Sequence, residues 1–174
     1  MIDKSQKISI IIDNLRRVFQ VVHEQSKKVK RETSITGPQI WAIKVIASTS
    51  RIRVSDLAKK MYLHPATVVG ILNRLETRGL VERIRTKDDR RVVNVVLTEQ
   101  GMEIVRKSPE VTQGLLIAGL ETRTMKNLDV INEGLSQLVE IFGVQEIPPQ
   151  LLLSSEVNLP EGKASLKKKK QIDK

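Results

Sequence analysis

Cysteine is absent from the 174 residues. That excludes disulfides, thiolate metal sites and a thiol redox sensor, and it fits a reducing cytoplasm. Aromatic residues are scarce, with one Trp, one Tyr and two Phe, so any core must be packed from aliphatic side chains. No apolar run approaches the roughly 20 residues that span a bilayer. No charged segment followed by an apolar one opens the chain as a signal peptide would. Catalytic signatures are missing too. There is no glycine-rich phosphate loop and no Gly-x-Ser-x-Gly, and the two histidines, His23 and His64, have no H-x-x-x-H partner. The expectation is a soluble, cytoplasmic protein that is not an enzyme and needs neither metal nor cofactor.

What the chain has in excess is positive charge, a formal +10, unevenly placed. Residues 51–101 carry eleven Lys/Arg against six Asp/Glu, whereas residues 102–162 carry four against nine. A basic central third followed by an acidic segment suggests a surface that faces a polyanion; a generic basic protein is the other reading.

Residues 4–31 predict one long helix, with Ile8, Ile11, Ile12, Leu15, Val18, Phe19 and Val22 at i, i+3, i+4 spacing. A stripe this long wants a partner, intramolecular or from a second chain. Thr36 and Gln39 have capping-box spacing, with Pro38 in the first turn, so a second helix should run to about Ala47. SRIRVSDLAKKM predicts a third. His64 at an N-cap position and Pro65 after it open a fourth, which buries Val68, Leu72 and Leu75 and stops at Gly79. LVERIR and VVNVVL, β-branched and flanking TKDDRR, predict a β-hairpin. Thr98 should cap a fifth helix that Pro109 bends or ends, and residues from about Thr122 to Phe142 should form a sixth. The tail from about Gln150 is polar, ends in a Lys-rich run, and is expected to be disordered.

Two short helices joined by a turn and followed by a hairpin is the order of a winged helix-turn-helix. The fourth helix can enter a DNA major groove and the hairpin tip can reach the neighbouring minor groove. Lys87, Arg90 and Arg91 stand on that tip. The fold class expected is mainly α with a small β-hairpin wing.

Residues ITGPQIWAIKVI through VSDLAKKMYLHPATVVGILNRLETRGLVERIRTKDDRRVVNVVLTEQG resemble the MarR family of bacterial transcription factors. The pieces that carry the resemblance are Gln39 after Thr36, Asp56-Leu57-Ala58, Arg74-Leu75-Glu76, Gly79-Leu80-Val81, and Asp89-Arg90-Arg91 followed by Leu97-Thr98 and Gly101. The resemblance implies residues 1–34 as a dimerisation helix, 35–101 as the DNA-binding domain, 102–145 as further dimerisation helices, and 146–174 as a basic tail. It implies an obligate homodimer on a pseudo-palindromic operator of double-stranded DNA, with half-sites about 34–36 Å apart, and a repressor at the nucleoid of a bacterium or archaeon.

Residue roles follow singly. Ala66 and Thr67 should face base edges, although Thr67 also suits helix capping. His64 either donates to a phosphate or caps the helix, capping being favoured. Arg90 and Arg91 resemble the family's wing residues, with Asp89 pairing an arginine to brace the wing or serving as a turn residue. Lys87 and Arg85 are candidates for phosphates, and Arg74 for a phosphate or the wing. Many family members carry Thr-Arg where this chain has Val69 and Gly70; Gly70 either lets backbone approach DNA closely or leaves fewer bases read. Members commonly release DNA on binding a small anionic aromatic or lipophilic compound. Arg16, Phe19, His23 and Trp41 are candidates to line such a pocket, the alternative being core for the aromatics and surface for the others. A winged-helix module that docks proteins instead of DNA is the competing function.

Overall fold

A computed structural model describes residues 2–32, 35–85, 93–108, 110–152 and 158, with only the backbone of 25–32. The described helices are α1 (Lys4–Glu32), α2 (Gly37–Ala47), α3 (Val54–Met61), α4 (Pro65–Thr77), α5 (Glu99–Lys107), α6 (Thr112–Glu121) and α7 (Met125–Ile141). The strands are β1 (Ile52–Arg53), β2 (Val81–Arg85) and β3 (Val93–Leu97).

α2 is the post around which the body is built. It is apolar on nearly every side, with Ile40, Ala42, Ile43, Val45 and Ile46 all buried, and a helix apolar all round must be surrounded. It touches α3, α4, α5, α6 and β3. Gln39 caps its entrance by accepting the Thr36 N–H at 3.2 Å, as the capping-box spacing predicts. Around this post lie Leu57, Met61, Val68, Ile71, Leu72, Leu75, Val81 and Val95, all essentially without solvent contact.

β3 is the middle strand, in the order β1-β3-β2. The hairpin pairs Val81 with Leu97 and Arg85 with Val93, and β1 pairs Ile52 with Val95. The third-helix segment therefore divides. Ile52 and Arg53 are strand, and the helix begins only at Val54. The expected fifth and sixth helices also need correction, because a separate α6 stands between them. α5 stops at Lys107 and the chain turns helical again at Thr112.

The hairpin is joined to the rest at one clamp. Gly79 turns the chain at φ +68, a left-handed conformation that glycine adopts without steric cost. The Thr98 hydroxyl donates to the Gly79 carbonyl at 2.6 Å and accepts from the Gly101 N–H at 3.0 Å, so it caps α5 as expected. The Thr98 N–H donates to the Leu80 carbonyl at 3.2 Å.

α1 and α7 differ from the rest. None of the described α1 side chains is buried, nor is any residue of α7. Val18 and Phe19 are 60% and 61% exposed, so the stripe predicted on α1 lies open in the single chain, and Leu135 and Ile141 of α7 are likewise 58% and 76% exposed. Near them, Tyr62 ends α3 in the left-handed region, φ 52, and its hydroxyl donates to Glu121 of α6 at 2.9 Å. This hydrogen bond, with the carboxylate's charge, raises the phenol above its ordinary value of 10.0.

Two predictions follow from this packing. A Cβ at Gly101 would lie 2.0 Å from the Leu80 carbonyl oxygen. Gly101→Ala should therefore cost about 1–3 kcal/mol of stability, read from a urea midpoint, whereas a neutral result would show the clamp free to part. Tyr62 is the single tyrosine, so alkaline titration by ultraviolet absorbance reads it alone. A raised folded pKa means its stabilisation is complete below the unfolded value and lost as pH rises through the folded one. Glu121→Gln should bring the midpoint down, and an unmoved midpoint would show that the pair separates in solution.

Candidate nucleic-acid interface

α4 buries one face and offers the other. Val68, Ile71, Leu72 and Leu75 point inward, each worth about 1.5–3 kcal/mol of burial. Together they far outweigh the roughly 1 kcal/mol that Gly70 costs a helix. The remaining face is half-buried at Ala66, Thr67 and Gly70 and exposed at Val69, Asn73 and Arg74. A Cβ at Gly70 would meet nothing within 4 Å, so glycine leaves open space on the outer side and no neighbour requires it. At 13 residues, α4 is about 20 Å long at 1.5 Å per residue and fits a groove about 12 Å wide.

His64 is the N-cap residue by backbone, φ −66 and ψ 142, but its side chain makes no capping hydrogen bond. The expectation that it caps the helix is corrected on that point. Pro65 starts the helix with φ preset and no N–H to satisfy.

Beside α4 lies the hairpin, and a cleft of about 590 Å³ separates them, lined by Arg53, Ser55, Val69, Arg83, Arg85 and Val93 among others. Arg53 and Arg85 are exposed there. Arg83 is not spent on solvent. Its guanidinium donates to Glu76 Oε2 at 3.0 Å and to Asn73 Oδ1 at 2.7 Å, tying the last turns of α4 to β2. Neither Arg83 nor Asn73 stood out in the sequence. The signal was an arginine in the first hairpin strand seven residues after Glu76. Lys87, Asp89, Arg90 and Arg91 lie outside the described residues, as does the tip they were assigned to.

The four residues suggested for a ligand pocket are not brought together in the single chain. Phe19 and His23 are exposed, and Arg16 pairs with Asp13 at 2.9 Å on the surface. Trp41 instead packs against α6, where a Cβ at Gly114 would lie 2.4 Å from its ring. It lines a cleft of about 640 Å³ with Lys44, Ser48, Arg106 and Glu110. Lys44 is engaged there with Glu110 at 2.7 Å.

Residues 35–93 match the MarR family model. Over 117 residues the chain is 28% identical to the organic hydroperoxide resistance transcriptional regulator of Bacillus subtilis, which covers 67% of this chain and 78% of that protein. It is similar in structure to a MarR family protein from Bacillus stearothermophilus, with a TM-score of 0.50, 25% identity, and coverage of 81% and 99%. It shares the fold of a mutant MarR from E. coli solved with operator DNA, with a TM-score of 0.51, 22% identity, and coverage of 79% and 99%.

Arg83→Ala should leave the body folded, cost about 0.5–1.5 kcal/mol, and speed amide exchange in β2 and β3. Unchanged exchange would mean that Arg83 does not hold the hairpin.

Proposed function

We propose, from the match of residues 35–93 to the MarR family model, that this chain is a DNA-binding transcriptional regulator. In this reading it is a ligand-responsive repressor acting as a homodimer on a pseudo-palindromic operator in the cytoplasm. One observation carries it. A helix of groove dimensions presents its outer face beside a braced hairpin whose cleft is rimmed by Arg53 and Arg85. Ala66 and Thr67 occupy the first turn, where side chains meet base edges, with Gly70 one turn further along. Arg74, Arg85, Lys87, Arg90 and Arg91 take phosphates or the minor groove, and His64 is placed for a phosphate because its ring does not cap.

A second copy of the chain accounts for the bare stripes. Ile8, Ile11 and Phe19 on α1 and Leu135, Val139 and Ile141 on α7 are all at least 40% exposed, and grouped exposed apolar side chains mark an interaction surface. Pairing them covers both and sets two copies of α4 at a fixed spacing. An inducer fits the Trp41 cleft best, since an aromatic wall stands there near Lys44 and Arg106. Binding there would push on α6, which touches both α2 and α1.

The test is a mobility shift with the DNA upstream of the protein's own gene, at low salt where phosphate contacts are strongest. A retarded complex is expected. Arg91→Ala should weaken it by about 1–3 kcal/mol, and Thr67→Ala should relax base preference more than it lowers nonspecific affinity. No shift at low salt removes the DNA reading in favour of a protein-docking module. If Arg90→Ala and Arg91→Ala both leave affinity unchanged, the wing plays no part in binding.

A further inference from the structure

Part of the tail expected to be disordered is packed. Leu151 is 5% exposed, within the aliphatic core. Seven residues on, Asn158 returns to the body. Its N–H donates to the Pro149 carbonyl at 2.9 Å. Its side-chain oxygen accepts from the His64 N–H at 3.0 Å and from the Thr67 hydroxyl at 3.3 Å. Asn158 thus holds the backbone N–H of the N-cap residue and the Thr67 hydroxyl at the start of α4, the former from 94 residues away.

The groups it occupies are those that DNA would use. The N–H donors at a helix start, with the positive end of the helix dipole, take phosphate oxygens, and Thr67 is the residue assigned to base edges. One amide hydrogen cannot serve both oxygens.

We propose that Asn158 is an internal competitor for DNA. Its side-chain oxygen occupies the first turn of α4 as a neutral stand-in for a phosphate oxygen and must leave before the duplex can seat. The proposal rests on the DNA-binding reading above. Observed affinity is then the intrinsic affinity multiplied by the fraction of molecules in which Asn158 has released these groups. Asn158 is uncharged, so its competition does not depend on salt. The Lys167–Lys170 run acts in the opposite sense, drawing phosphates most strongly at low salt.

The experiment compares the full chain with Asn158→Ala and Asn158→Asp on the same upstream duplex across a salt series. Both variants keep the lysine run. Asn158→Ala should bind about threefold to tenfold more tightly, as loss of these hydrogen bonds implies, with the slope of affinity against salt unchanged. Asn158→Asp places a carboxylate at the positive end of the dipole and should bind more weakly than the parent. Without DNA, hydrogen exchange at the amides of 64–68 should quicken in Asn158→Ala. Equal affinities of parent and Asn158→Ala would overturn the competition, as would amide protection that ignores the substitution. If no version binds DNA, the competition falls together with the DNA reading, while the exchange data still report whether Asn158 docks.

Discussion

The structure depends on the burial of α2. Its five aliphatic side chains leave almost no polar face, so the helix is stable only when enclosed. Four other helices and the middle strand are the walls that enclose it. With only four aromatic residues in the chain, this enclosure is made from branched aliphatics, which pack closely and tolerate little displacement. Each wall then has its inward face set by α2, and its outward face is what remains for function.

That division is sharpest in α4. Its inner residues anchor it, while its outer ones are small or polar. The hairpin is held to it twice, at the Gly79–Thr98 clamp and through Arg83. The angle between helix and hairpin is therefore set during folding, before any ligand arrives. Such preorganisation removes an ordering cost from binding. The stripes of α1 and α7 are the opposite case, prepared surfaces left largely open among the described residues.

What could be read from the sequence divides along the distance over which each signal acts. Thr36 with Gln39, Pro65, Gly79 and Thr98 announce element ends within three or four residues, and the structure has ends at each. The β-branched run around Val93–Leu97 and the stripe of α1 are also local patterns. β1 escaped because two residues carry no periodicity; its existence is decided by pairing with Val95, far along the chain. Pro109 signalled a break, but nothing nearby signalled that the helix would restart at Thr112. The Arg83 brace crosses a turn, and the Asn158 contact spans most of the chain. Tertiary geometry chose both from many chemically equivalent candidates. The hairpin tip, where the charge pattern is densest, lies outside the described residues, so the roles of Lys87, Asp89, Arg90 and Arg91 stand on the sequence.

Trp41 is the only tryptophan, and it sits where α2 meets α6, its ring pressed against the bare backbone of Gly114. The molecule therefore carries one indole fluorophore, located at the seam between its enclosed centre and its open outer helices. Any sliding of that seam changes the polarity around a lone indole, so light emission from the unmodified chain registers the motion without an added dye.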